Sequence, residues 1–138
     1  MLIKLKLILN DTDKEKLCNT IKEFNELHKM LFSEFTGKEV NFKIINTFYK
    51  EFKTTCKFPS RLINILFFTV LGNIKKGIKE INYLPVNYNI VSIKHINKLS
   101  ILTLAGRVLC EYRFIEYVDG GINKLELIDN EFYAFLNC

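Results

Sequence analysis

Only two histidines, His28 and His95, occur in the 138 residues, and neither falls within a nucleophile, metal or acid–base motif. The four cysteines, Cys18, Cys56, Cys110 and Cys138, are far apart and include no C-x-x-C pair. That spacing argues against a zinc knuckle and against a secreted disulfide framework, so free thiols in a reducing cytoplasm are the expectation. No apolar run approaches the roughly eighteen residues of a membrane span. The apolar N-terminus, Met1 to Leu9, is interrupted by Lys4 and Lys6 and offers no small-residue cleavage site, so no signal peptide is read. Glycines form no phosphate cradle: Leu71-Gly-Asn-Ile-Lys-Lys-Gly has neither P-loop nor dinucleotide spacing. Glu111, Glu116, Asp119, Glu126, Asp129 and Glu131 are spread over strands and turns and suggest no carboxylate cluster. No cofactor, metal, catalytic residue or membrane partner is therefore expected.

What the chain does have is globular composition, 49% apolar and 25% charged, at a length suited to one domain with an insertion. Its net charge of +5 is uneven. Residues 1–81 carry 15 Lys/Arg against 9 Asp/Glu, whereas residues 82–138 carry 5 against 6. A basic surface draws polyanions, and it is also an ordinary solvated helical surface.

Ile3, Leu5, Leu7 and Leu9 alternate with Lys4, Lys6 and Ile8, the period of a strand with one buried face. Thr12 and Glu15 have capping-box spacing, and a helix follows to about Phe35 with Leu17, Ile21, Phe24, His28, Leu31 and Phe35 on one stripe. Asn41 can cap a second helix carrying Phe42, Ile45, Phe48, Tyr49 and Phe52. After Phe58-Pro-Ser a third helix should run from about Ser60 to Ile81, with Gly77 near its end. Beyond Pro85 the pattern changes to short strands at 88–94, 100–105, 107–116, 122–129 and 131–137. The fold class that follows is α+β: a small antiparallel β-barrel made from strand one and five C-terminal strands, with a three-helix insertion. The expected boundaries are 1–10 and 86–138 for the barrel and 11–85 for the helical block.

Two basic stretches carry most of the chemistry. Lys57, Ser60, Arg61 and Asn64 surround a helix N-terminus, where backbone N–H groups and the dipole can hold a phosphate. The plainer alternative is that Ser60 caps the helix and Arg61 is solvated. Lys75, Lys76 and Lys79 gather at the end of the same helix, where the dipole favours cations whatever the function. Lys94 and His95 can meet phosphate or be ordinary exposed residues, and Arg107 lies at a tight hairpin. His28 reads as a packed helix residue rather than a ligand.

The layout as a whole resembles the N-terminal half of the TnpB family, the transposon-encoded RNA-guided nucleases, and of the compact type V CRISPR effectors. The similarity rests on the opening strand Leu5-Lys-Leu-Ile-Leu and the helix from Thr12. It continues through the Phe58-Pro-Ser-Arg-Leu step, the strand pair Ile101-Leu-Thr-Leu-Ala-Gly-Arg-Val and the hairpin from Lys124 to Leu136, all in the same order. The resemblance implies a wedge (WED) barrel with a recognition (REC) insertion that holds guide-type structured RNA and an RNA–DNA duplex. It also implies that Lys57, Ser60, Arg61 and Asn64 lie near target-flanking DNA. In that family a RuvC nuclease domain begins after the final hairpin, where this sequence stops. The expectation is thus a non-catalytic, RNA- or DNA-binding module in the cytoplasm, encoded by a mobile element. Alternatives are an anti-CRISPR-type inhibitor or regulator that binds a TnpB or type V effector, one subunit of a nuclease with a separate RuvC chain, or a remnant. Residues 108–138, with 2 Lys/Arg against 6 Asp/Glu, suit a protein contact better than an RNA platform.

Overall fold

The first strand, β1 (Leu2–Ile8), is the centre of the sheet: it pairs antiparallel with β5 (Gly106–Val118) on one side and β7 (Glu131–Asn137) on the other. The computed structural model describes residues 1–55 and 58–137. Among the described residues it contains three helices, α1 (Asp11–Phe35), α2 (Phe42–Thr55) and α3 (Ser60–Lys76). The remaining strands are β2 (Tyr83–Pro85), β3 (Val91–His95), β4 (Lys98–Thr103) and β6 (Lys124–Ile128). All pairings are antiparallel, in the order β2-β6-β7-β1-β5-β4-β3, and the sheet curls into a half-barrel. The α+β class with a helical insertion after strand one is thereby established. Short β2 is one strand more than the sequence suggested, and the sheet's pairings end at β2 and β3. None of the described helices is long and apolar enough to cross a membrane.

The chain divides into two compact units. One comprises residues 1–22 and 82–138, the other residues 23–81. The boundaries fall at 22/23 and 81/82 instead of 10/11 and 85/86, because the first turns of α1 belong with the sheet. There Leu17, Thr20 and Ile21 are buried, and the Thr20 hydroxyl accepts the Leu104 N–H at 3.1 Å.

In the sheet unit, strand alternation makes two different faces. The row Leu84, Leu125, Ala134 and Leu5 runs straight across β2, β6, β7 and β1, and all four residues are buried. Each fully buried leucine stabilises the fold by about 1.5–3 kcal/mol relative to exposure. The β6–β7 hairpin turns through Asp129 and Asn130 at φ 50° and 65°, the left-handed pair that matches the twist of the flanking strands. Asn10, not Thr12, caps α1: its Oδ1 accepts the Asp13 N–H at 2.8 Å. The expected strand start at residue 88 is displaced to Val91 because Asn87 Oδ1 accepts the N–H groups of Asn89 and Ile90, which closes a turn first.

In the helical unit, Phe35, Phe48, Phe52 and Phe67 form a linked aromatic cluster with ring centroids 5.3–6.3 Å apart. Asn41 caps α2 through Oδ1 to the Ile44 N–H at 3.0 Å. Helix α3 stops at Lys76 and does not continue to Ile81. Gly77 enters the left-handed region at φ 73°, and the Ile78 and Gly77 N–H groups return to the carbonyls of Asn73 and Ile74.

His28 and Asn73 are buried together, with Asn73 Nδ2 2.9 Å from His28 Nε2. The amide donates, so Nε2 accepts and the ring is neutral with its proton on Nδ1. Burial holds the His28 pKa below its ordinary 6.5, with the Lys79 backbone carbonyl partly opposing. The unfolded chain therefore binds the proton first, and stability declines as pH falls below 6.5 towards the folded-state value. Replacing His28→Leu should cost about 1–3 kcal/mol by orphaning Asn73 and should flatten the decline that sets in as pH falls below 6.5. Urea titrations across that range check both effects, and the double variant with Asn73→Leu should regain part of the loss.

Buried Cys110 has its thiol pushed up to about 11, chiefly by burial and secondarily by Asp13, whereas Cys18 is exposed. In a variant carrying Cys56→Ser and Cys138→Ser, a disulfide reagent at pH 8 should titrate one thiol in the native protein. The second should react only in denaturant.

Candidate nucleic-acid interface

Among the described residues, the basic side chains of the helical unit lie off its aromatic core. The unit holds 10 Lys/Arg against 6 Asp/Glu, compared with 10 against 9 in the sheet unit. Among the described residues, Lys43, Lys50, Lys53, Arg61, Lys75, Lys76 and Lys79 make no ion pair; Lys29 and Lys38 pair with Glu80 and Glu34. Glu80 is held below the usual carboxylate range, first by its hydrogen bond to Lys29 and then by that ammonium's charge.

Helix α3 carries two of the expected groups at its opposite ends. Arg61 and Asn64 are exposed one turn apart at the start, with half-buried Ser60 beside them. Lys75 and Lys76 are exposed at the end and Lys79 just beyond, roughly 20 Å along the axis from the first group. These are two clusters, not one. Pro59 is the N-cap residue, and its carbonyl accepts the Leu62 and Ile63 N–H groups. Ser60 makes no capping bond, so the plain capping role does not hold for it. Lys57 lies outside the described residues.

A third basic face, on α2, was not singled out in the sequence. Lys43, Asn46, Thr47 and Lys50 follow helical i, i+3, i+4, i+7 spacing and, with exposed Phe42, line a shallow depression. The signal was present in the sequence as a polar stripe opposite the phenylalanines.

In the sheet unit, Lys94 and His95 are exposed at the end of edge strand β3, beside a register shift between Ile93 and His95. Arg107 has a structural task. Its Nη2 donates to the Asn89 carbonyl at 2.7 Å and its Nη1 to Ser100 Oγ at 3.2 Å, which ties the 87–90 turn to β4 and β5.

The face of the sheet opposite the leucine row carries a cation–aromatic array that spacing did not reveal. Strand register places Lys124, Phe135 and Lys4 side by side, and beneath them Tyr83, Glu126, Tyr133 and Lys6. On the far side of β1, Glu116 continues the first row and Arg113 the second. The Lys4 ammonium lies 4.8 Å from the Tyr133 ring centroid and 5.8 Å from that of Phe135. Lys124 lies 5.1 Å from Phe135 and 5.3 Å from Tyr83, and also pairs with Glu126 at 2.8 Å. Partial burial raises the Tyr83 phenol pKa, with Lys124 opposing. Among the described residues, no three His, Cys, Asp or Glu side chains gather in a metal-ligating group.

Comparison with protein-family models, curated proteins and solved structures gives no match.

Because its guanidinium is occupied within the fold, Arg107→Ala should lower the unfolding free energy by about 1 kcal/mol. A urea titration of the variant against the unsubstituted protein measures the loss.

Proposed function

We propose that the protein is a non-catalytic nucleic-acid-binding module that holds structured, guide-type RNA or an RNA–DNA duplex in the cytoplasm, in the manner of the wedge and recognition half of TnpB-like nucleases. The observation that carries this reading is the set of unpaired cations on the helical unit, on the α2 face and at both ends of α3. Lysines and arginines without carboxylate partners gain most from meeting phosphates, because neutralising phosphates releases condensed counterions. Such contacts fix position and register and carry little sequence information.

A second reading, as an inhibitor or effector-binding protein, is favoured by one feature. On β5, Phe114 and Tyr117 are 51% and 62% exposed with their rings in edge contact at 5.0 Å, and Ile115 beside them is also exposed. Aromatic side chains grouped this way on a surface suit a protein contact.

Fluorescence anisotropy with a labelled structured RNA tests the first reading. Affinity should fall steeply between 50 and 200 mM salt, and the paired substitution Lys43→Glu and Lys50→Glu should weaken binding about ten-fold or more and reduce the salt slope. Absence of any salt-dependent binding at 50 mM overturns it. Copurification with an effector protein that survives RNase would favour the second reading.

A further inference from the structure

The sheet face bearing Tyr83 and Tyr133 combines rings and cations in register. We infer that this face is a platform for single-stranded nucleic acid, on which bases stack against Tyr83 and Tyr133 while Lys4, Lys6, Lys124 and Arg113 take the phosphates. The inference rests on the reading of the protein as a nucleic-acid binder and adds a site for it, apart from the lysines of the helices.

Three observations carry it. First, the rings and cations share one face by strand register, while the other face of the same strands holds the buried leucine row. The array is therefore not needed to fill that core. Second, the cations outnumber what the face neutralises. Lys124 pairs with Glu126, but among the described residues Lys4, Lys6 and Arg113 make no ion pair, so the face has charge to offer a polyanion. Third, the rings select the form of the ligand. Tyr83 on β2 and Tyr133 on β7 are separated by β6, hence about 10 Å apart, which leaves room for a separate base on each. A base can lie on a side-chain ring only where its own face is not covered by neighbouring bases, a condition met by single strands and loops and not inside a paired duplex. Stacking on sheet aromatics with lysines alongside is an established physical route to such binding.

Phe135 is the floor of the array. It is only 8% exposed, with the Lys4 and Lys124 ammonium groups near its ring. Those lysines lie over the rings in the free protein. Lys4, which has no carboxylate partner among the described residues, can turn to phosphate without breaking an ion pair, whereas Lys124 must exchange Glu126 for it.

The test uses the full chain with fluorescein-labelled single-stranded 12-mers of RNA and of DNA, and a duplex of the same sequence, by anisotropy at 50 mM salt. Tyr83→Ala and Tyr133→Ala should each weaken single-strand binding about five-fold or more and leave duplex binding within two-fold. Tyr133→Phe keeps the π-face and should retain affinity. The charge reversals Lys6→Glu and Arg113→Glu should weaken single-strand binding without lowering the melting temperature read by circular dichroism, which separates binding from folding. Binding of both 12-mers supports a platform that ignores the 2′-hydroxyl, and binding of RNA alone supports one that reads it. If the unsubstituted protein binds single strands, Lys43→Glu with Lys50→Glu weakens that binding and neither the tyrosine nor the charge variants do, the platform is overturned while the nucleic-acid reading stands. If the unsubstituted protein binds structured RNA but no single-stranded 12-mer, the platform alone falls; if it binds neither structured RNA nor any of these oligonucleotides, both fall together.

Discussion

The pairing of β1 with both β5 and β7 is the constraint on which the rest of the sheet unit depends. The first strand of the chain completes its hydrogen bonds only with strands that lie about a hundred or more residues later. Joining ends that far apart costs on the order of 4 kcal/mol of loop-closure entropy before any contact repays it. Of the residues in between, 23–81 form a unit with contacts of its own. Its phenylalanine cluster, the Asn41 cap and the Gly77 helix stop are all local to it.

Once β1 is in place, period-two alternation does two jobs with the same residues. Leu5 enters the buried row with Ala134 and Leu125, and its neighbours Lys4 and Lys6 are committed to the other face beside Phe135 and Tyr133. A shift of one residue in the β1–β7 register would bury lysines and expose leucines, so packing of the core fixes the geometry of the cation–aromatic array. Its precision comes from the leucines behind it. The bulge between Lys4 and Leu5 on the β5 side adjusts this arrangement locally, bringing Glu116 opposite Lys4 and Phe114 opposite Leu5.

Much of the fold was legible because its signals are local. The alternation of β1, the apolar stripes of the three helices, the Asn41 cap and the Asp129–Asn130 turn each depend on residues within a few positions of one another. Where local signals competed, one side chain decided: Asn10 outcompeted Thr12 as cap, Gly77 ended α3 before Ile78, and Asn87 closed a turn where a strand was expected. The candidate site was less legible. Arg107 looked like a free turn arginine, yet its partners Asn89 and Ser100 are visible only when β3, β4 and β5 are assembled. The acidic count of residues 108–138 argued against an RNA platform, but it averaged over two faces. Of those carboxylates, Glu126 and Glu131 are engaged by Lys124 and Lys14. The lysines on that face come from β1 and β6, at opposite ends of the sequence, and Arg113 of β5 joins them.

Those two ends meet at Phe135, which has Lys4 on one side and Lys124 on the other. A bare phenylalanine on a solvated sheet face would be an aggregation hazard, and a bare lysine pair would repel. Placed together, the ring gives each ammonium a partner and the lysine stems keep water off the ring, so Lys4 is tolerated without a carboxylate and Lys124 shares only Glu126. That arrangement leaves Lys4 held by weak, exchangeable interactions with two rings, while Lys124 divides its charge between the rings and Glu126. A cation held over a ring by about 0.5–1 kcal/mol can be drawn away by a phosphate, whereas one locked in a bidentate salt bridge resists removal. The same balance that makes the face stable in water thus leaves it ready for a polyanion whose bases replace the ammonium groups over the rings.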